Sequence, residues 1–267
     1  MYIMIQKNTV TEGDALELIQ GIEINKIFNE GCLDTLKRIP DNFIDCIVTS
    51  PPYNKSAWSM NQNVNNGFKT KSRKIKYGDF DDNLDPEEYE RQQREVLTEC
   101  IRVIKPTGSI FYNHIDILHL HTTIHPKYVH DFPMKQIIIW NRKNTIKLDK
   151  SYFFPVNEYI FWMKKTNKSK PKFYRDRAFF KKNIWDMLPE SSNKHPAPFP
   201  VLLAANCIMA TTDVGDVIYD PYMGSGTTAL ACVKYNRNYI GSELNSEYVI
   251  SAERRLNDEI SQPSLFL

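Results

Sequence analysis

A short apolar stretch, residues 217–219, runs straight into Asp220-Pro221-Tyr222-Met223-Gly224-Ser225-Gly226-Thr227-Thr228, and a helix-forming stretch opens at once. Two glycines one residue apart let the backbone approach a ligand closely, and the N–H groups opening the helix point at whatever sits there. A strand follows over residues 239–241, and just beyond it stands Glu243, where an acid grips ribose hydroxyls in nucleoside-binding α/β folds. A last helix opened by Ser246 carries Tyr248, Val249, Ala252, Leu256 and Ile260 on one face. This β-α-β-α unit commits the chain to a layered α/β fold. The glycine loop lacks the third glycine of the dinucleotide fingerprint and the Gly-Lys-Ser/Thr ending of a P-loop. A nucleoside with a small charged tail suits it better than NAD or ATP.

Earlier in the chain, residues 32–39 lead through a Pro-Asp-Asn turn to an apolar run, residues 43–49, that stops at Ser50-Pro51-Pro52-Tyr53. The run reads as a buried parallel strand, and the loop at its carboxyl end is where ligands bind in open α/β sheets. Two prolines remove backbone donors and stiffen the turn, so the Pro51 carbonyl and the Ser50 side chain present acceptors and Tyr53 an aromatic face. That is a cradle for a planar amino group. Asp85-Pro86-Glu87-Glu88 supplies a cap, a proline and a capping acid for a helix whose apolar positions are Tyr89, Val96, Leu97, Cys100, Ile101 and Ile104, stopped at Lys105-Pro106-Thr107-Gly108. Strands are predicted at residues 109–113, 135–140 and 158–163, and an apolar helix over about residues 200–210. With 267 residues, 42% of them hydrophobic and 25% charged, one enzyme-sized α/β domain spanning 1–267 fits.

The composition excludes several classes. The longest mostly apolar run, residues 201–210, is about half of the roughly 20 residues that cross a bilayer. The first residues offer no basic start and apolar stretch of a secretory signal, so the expected location is the cytoplasm. Five cysteines form no C-x-x-C pair and read as core thiols of a reducing compartment. His114, His119, His121, His125 and His130 cluster in one segment, but no cysteine or paired acid completes a ligand set, so no metal is expected.

The net charge of +2 hides two basic segments. A long loop over residues 54–85 opens at Asn54 and carries Lys55, Lys69, Lys71, Arg73, Lys74 and Lys76 with no acid before Asp79. A second region, about residues 142–194, brings Arg142 and Lys143 and then a run with Lys170, Lys172, Arg175 and Arg177 interleaved with Phe173, Tyr174, Phe179 and Phe180. Basic residues mixed with aromatics suit a nucleic-acid backbone with bases to stack, so both segments are expected to flank the pocket and contact nucleic acid.

Together these motifs resemble the S-adenosylmethionine-dependent DNA amino-methyltransferases, whose signatures are D/N/S-P-P-Y/F and a D-P-F-x-G-S-G-T-like loop. The target motif here precedes the cofactor loop, which is similar to the order of the β group. Asn29-Glu30-Gly31-Cys32-Leu33, His195-Pro196-Ala197-Pro198-Phe199-Pro200 and Ile240-Gly241-Ser242-Glu243-Leu244-Asn245 extend the match over roughly residues 28–256. The resemblance implies a doubly wound, mostly parallel seven-stranded sheet of Rossmann-like kind, with methyl-donor and target pockets adjacent at the strands' carboxyl ends. Ser50, Pro51, Pro52 and Tyr53 would form the catalytic cradle. Asp220, Pro221, Tyr222, Gly224, Ser225, Gly226 and Thr227 would hold the methionine end, Glu243 with Leu244 and Asn245 the ribose side, and Cys32, Thr49, His195 and Phe199 further cofactor contacts.

An exocyclic amine is a weak nucleophile because its lone pair is conjugated with the ring. Accepting its N–H bonds at Ser50 and the Pro51 carbonyl would turn that lone pair toward a sulfonium methyl, after the base has left the duplex and stacked on Tyr53. No Pro-Cys occurs, which excludes methylation at C5 of cytosine. Serine in place of aspartate points to N4 of cytosine, with N6 of adenine as the alternative. RNA, a protein glutamine, or a catalytically silent DNA-binding subunit are further readings. Because the recognition segment is short, a homodimer is one expected partner, and a cognate restriction endonuclease another. The tail Gln262-Pro263-Ser264-Leu265-Phe266-Leu267 looks like a sliding-clamp peptide.

Overall fold

The computed structural model describes residues 18–19, 21–54, 84–119, 122–143, 153–190 and 199–261. Lys55, Lys69, Lys71, Arg73, Lys74, Lys76, His121, His195 and the clamp-like tail from Gln262 to Leu267 lie outside the described residues.

One large sheet organises these residues. Its strands are β3 (Lys26–Phe28), β4 (Ile44–Thr49), β5 (Ile104–His114), β8 (Met134–Asn141), β9 (Asn157–Met163), β10 (Ile184–Asp186), β11 (Val217–Asp220) and β12 (Asn238–Ser242). In space they run β10-β8-β9-β5-β4-β11-β12-β3, every one parallel to the rest except β9. The expected sheet is therefore present, with eight strands rather than seven among the described residues. Two of its members, β3 and β10, have three residues each, too short for any alternation to announce them. Small hairpins, β1 (Leu18–Ile19) with β2 (Ile22–Glu23) and β6 (Ile117–His119) with β7 (Thr122–Ile124), stand apart from the large sheet.

Among the described residues five helices cover both faces. On one lie α1 (Cys32–Arg38) and α2 (Pro86–Val103), packed with Leu36, Val96, Leu97, Cys100 and Val103 against Ile44, Ile47, Ile110 and Tyr219. On the other lie α3 (Val201–Thr211), α4 (Thr227–Lys234) and α5 (Ser246–Ser261), packed with Leu203, Ile208, Ala231 and Leu256 against Val48, Phe111 and Ile218. Helix α2 begins as its sequence demands: the Asp85 carboxylate accepts from Glu87 N–H, and Pro86 occupies the first turn. Helix α5 is capped instead by Asn245, whose side-chain oxygen accepts from Glu247 and Tyr248 N–H, one residue before the expected serine.

The helix stop expected at residues 105–108 falls at Val103, and those residues already belong to the next strand. Helix α2 ends at Val103 and β5 takes over at Ile104, with a register shift against β4 that accommodates Pro106. Gly108 is required at this bend, because a Cβ there would stand 2.7 Å from the Asp45 carbonyl oxygen.

The order matters for function. From β4 the chain crosses to β5 on one side, whereas β11 leads to β12 on the other, so the winding reverses between β4 and β11. Such a reversal opens a crevice at the carboxyl ends of the strands. Strand β4, buried at all six positions, ends there at Thr49, and β11 ends there at Asp220.

Candidate active site at the strand switch point

The two sequence motifs meet at this reversal. Thr49 Oγ1 donates to Asp220 Oδ1 at 2.7 Å across the two strands, and Thr228 Oγ1 donates to Asp220 Oδ2 at 2.6 Å from the first turn of α4. Tyr222 N–H adds a third bond at 3.0 Å. Asp220 is buried among these donors, with no cationic partner among the described residues, and burial pushes its carboxyl up to about 6. It braces the loop from behind. Gly226 turns the chain into α4 with φ +81°, a conformation that favours glycine, and a Cβ there would meet Ala252 Cβ at 2.8 Å.

In front of the loop lies a cleft of about 200 Å³. Its walls are Pro221, Tyr222 and Gly224 from the loop, Ser242, Glu243 and Leu244 after β12, and Tyr248 from α5. Glu30, Gly31, Cys32 and Leu33 close one end, Gln92 and Val96 of α2 cover one side, and Ser50 and Pro52 complete it. Glu243 accepts Gly224 N–H at one carboxylate oxygen and Asn245 N–H at the other, both at 2.8 Å. Burial raises its carboxyl above the ordinary value despite these donors. Each oxygen keeps lone-pair capacity toward the cleft, which fits a sugar diol. Burial pushes the Cys32 thiol up to about 11, making it a neutral wall rather than a nucleophile.

Of the expected cofactor contacts, Cys32, Pro221, Tyr222, Gly224, Glu243 and Leu244 line the cleft, whereas Thr49, Asp220, Ser225, Gly226, Thr227 and Asn245 stand behind it. Ser225 is held by Arg255, which donates to its carbonyl at 2.7 Å and to its hydroxyl at 3.2 Å. Phe199 does not reach the cleft: it packs into the core with Leu203 and Ala204. Gln92 and Val96 were missed because a helix surface carries no local motif, and Glu30 because only Cys32 was singled out within its matching stretch.

The target motif differs from expectation in one respect. The Tyr53 ring is 2% exposed, 4.9 Å from the His114 ring, and borders a separate cavity of about 80 Å³ with Asn54, Tyr89 and Tyr128. No open aromatic face is offered to a base. The cause is its hydroxyl, which lies 2.6 Å from Ser50 Oγ and 3.2 Å from Glu158 Oε2, and accepts from Asn113 Nδ2 at 2.8 Å. Asn113 Nδ2 also donates to Glu158 Oε2 at 2.6 Å, and Arg142 Nη1 donates to Glu158 Oε1 at 3.1 Å. Tyr89 fixes the motif from the other side, donating its hydroxyl to the Pro52 carbonyl at 2.9 Å. Asn54 holds the next segment through paired bonds to the backbone of Leu84, each 2.8 Å. None of Asn113, Glu158 and Tyr89 was singled out for the site from sequence.

The basic residues divide. Arg142 and Lys143 follow β8 at the active edge, Lys143 exposed and Arg142 turned inward onto Glu158. Strand β9 runs the opposite way, so the chain after it lies at the amino-terminal ends of the parallel strands. There Lys165 Nζ donates to the carbonyls of Ile101, Arg102 and Ile104, Lys172 pairs with Asp213 and Asp216, and Arg177 pairs with Asp213. Lys172 N–H donates to the Thr107 carbonyl near the start of β5. Lys170, Lys172, Arg175 and Arg177 therefore do not flank the pocket as expected, because the antiparallel strand carries them to the far edge. Of the clustered histidines, His125 bonds to Asp116 at 2.7 Å and to His130 at 3.2 Å.

A mostly parallel sheet wound both ways from its middle, a glycine loop and acid beside a nucleoside-sized cleft, and a Ser-Pro-Pro-Tyr turn in the same cleft define a class I type of methyltransferase site. A family profile describing DNA methylases of the N6/N4 kind matches residues 44–254, and the chain belongs to that family. It is an S-adenosylmethionine-dependent DNA methyltransferase that acts on an exocyclic amino group. Over 91% of its length it is 29% identical to the type II methyltransferase M.BglII of Bacillus subtilis, covering 72% of that enzyme. It is 27% identical to M.HpaI of Haemophilus parainfluenzae, covering 88% of this chain and 75% of that one.

The fold is also that of solved structures. The cytosine-N4-specific PvuII DNA methyltransferase superposes with a TM-score of 0.66 at 19% identity, over 88% of this chain and 90% of that one. A DNA modification methylase of Thermus thermophilus in complex with S-adenosyl-L-methionine gives 0.63 at 22% identity, over 89% and 96%. Among the described residues no helix is long and apolar enough to cross a membrane.

Proposed function

We propose that this enzyme methylates N4 of a cytosine flipped out of duplex DNA, with Ser50 and the Pro51 carbonyl as the acceptors that grip the amine. The observation that carries this reading is that Ser50 and Pro52 wall the same cleft as Gly224 and Glu243. The group to be methylated and the donor would thus meet at the end of β4 with no further rearrangement of the sheet. Bound S-adenosylmethionine would supply an electrophilic methyl. Glu243 would take the ribose hydroxyls, Gly224 and the turn at Pro221 and Tyr222 would border the methionine side, and Val96 and Leu244 would supply apolar walls.

Two acceptors placed before the substrate arrives cost no reorganisation during transfer, and holding amine and methyl in line contributes most of the remaining acceleration. Extruding the base costs a few kcal/mol. Lys143, at the edge where the cleft opens, is a natural phosphate contact, and the basic residues of 55–83 would add to it. A serine in the cradle supports cytosine, whose N4 offers the same two hydrogens as N6 of adenine. A second copy of the chain adding DNA contacts, and a cognate restriction endonuclease, are the further partners of this reading. Incubation with tritiated S-adenosylmethionine and unmodified DNA, followed by nucleoside chromatography, tests it: label in N4-methylcytosine is expected, and label in N6-methyladenine reverses the choice of base.

A further inference from the structure

We propose that Glu158 is a positioning residue for methyl transfer, acting through the Tyr53 hydroxyl to make Ser50 a hydrogen-bond acceptor toward the target amine. The inference rests on the reading that Ser50 grips that amine.

A carboxylate at this position of the motif would be acceptor-only, whereas a serine hydroxyl carries one hydrogen beside its lone pairs. An amine that must be held by its own hydrogens needs the lone pairs. If Ser50 aims its hydrogen at the amine instead, it competes for the electrons that must attack the methyl. Something has to occupy the serine's hydrogen elsewhere.

The network behind Ser50 does this. Glu158 is 6% exposed and can only accept. Asn113 places its amide nitrogen 2.6 Å from Glu158 Oε2 and 2.8 Å from the Tyr53 oxygen, so one NH2 group serves both. The reverse amide orientation would set its oxygen against the carboxylate, so Glu158 also fixes Asn113. Between the Ser50 hydroxyl and the Glu158 carboxylate, the Tyr53 hydroxyl is drawn to the charged one, because hydrogen bonds to an ionised acceptor are about twice as strong as neutral ones. With the phenolic hydrogen on Glu158 Oε2 at 3.2 Å, the 2.6 Å contact between Tyr53 and Ser50 is made with the serine's own hydrogen. The lone pairs of Ser50 are then left for the cleft, which Ser50 lines.

Arg142 sets the other end by donating to Glu158 Oε1. The arrangement is kept although Asn113 Oδ1 and Arg142 Nε, both buried, make no hydrogen bond among the described residues. Groups left unsatisfied in this way are expensive, and one that persists calls for a reason beyond packing. Directing the polarity of Ser50 is such a reason.

The test is a double-mutant cycle in the full-length protein, with single-turnover methyl transfer from tritiated S-adenosylmethionine to a cognate duplex as the readout. Tyr53→Phe keeps the ring and removes only the link. It should slow transfer ~10–100-fold, the range of one lost hydrogen bond to a charged group, with the Kd for S-adenosylmethionine and the KM for DNA within ~2-fold of wild type. Glu158→Gln should behave alike if the fold tolerates it. In an S50D background the acceptor no longer depends on a directed hydrogen, so adding Y53F should cost under ~3-fold. An equal Y53F penalty in both backgrounds, or wild-type transfer rates in both Y53F and E158Q, would overturn the proposal. A wild-type protein that labels no DNA amine in the same assay counts against the assigned reaction instead, which separates the two failures.

Discussion

The wall of the cleft that carries Gly224 and Glu243 is one continuous stretch of chain from β11 to the start of α5, whereas the wall behind Ser50 draws Asn113 from β5, Glu158 from β9 and Arg142 from just beyond β8. Each contains a buried carboxylate. Asp220, in the first, is satisfied by hydroxyls and one backbone N–H and faces no cation among the described residues; Glu158, in the second, is paired with a guanidinium. A carboxylate surrounded by hydroxyls serves geometry, since it fixes the loop at a cost in burial. One tied to Arg142, Asn113 and a phenol serves polarity, because it determines which way hydrogens point.

The contrast breaks most visibly at Gly226. Gly226→Val places a side chain at φ +81° and against Ala252, and should cost ~3 kcal/mol or more of folding stability, read as a lowered midpoint in urea. A substitution in the distributed wall such as Tyr53→Phe should leave that midpoint within ~1 kcal/mol. Next comes Asp220. Its folded carboxyl is raised from 3.8 to about 6, so the folded state holds the proton more tightly than the unfolded chain. The contribution is fully present below about pH 4 and is lost as the pH rises through about 6, amounting to ~3 kcal/mol. Asp220→Asn should therefore lose less stability than wild type between pH 4 and pH 7; parallel pH curves would show that Asp220 is not the group responsible.

A smaller effect is expected at Glu243. Glu243→Ala removes the acceptor proposed for the ribose, and calorimetry should find S-adenosylmethionine bound ~10–100-fold more weakly, with transfer at saturation much less affected. The smallest effect concerns the basic residues. Lys143→Ala should lower the slope of log affinity for DNA against log salt by about 1, whereas Lys172→Ala or Arg177→Ala should leave it unchanged. A slope change at Arg177 would move the DNA path to the far edge.

The same contrast explains what the sequence disclosed. The first wall is local, so its strand, its glycines and its acid stand in order along the chain and could be read there, down to the helix that follows. The second depends on partners 45, 60 and 105 residues apart, and no periodicity marks a strand residue such as Asn113 or Glu158 as anything but a strand residue. Arg142 was recognised as a basic residue near the site, but its role as a partner of Glu158 required the pairing of β8 with β9. The segment from Lys164 to Lys182 misled for a topological reason: charge and aromatic content were legible, but not the edge of the sheet on which they lie. The mostly parallel sheet was legible from its buried runs, and the short strands β3 and β10 were not, since three residues carry no pattern.

The reversed strand β9 has a consequence for how such an enzyme can diversify. Parallel strands joined by crossovers return each connection to the opposite edge, so a loop at the active edge is also the lead-in to a helix and is constrained by it. Here β8 arrives at the active edge and β9 departs from it, so the connection between Asn141 and Asn157 starts and ends on that edge. It is a socket in the scaffold. A connection of different length or composition would leave the sheet, the glycine loop and the Glu158 network as they are.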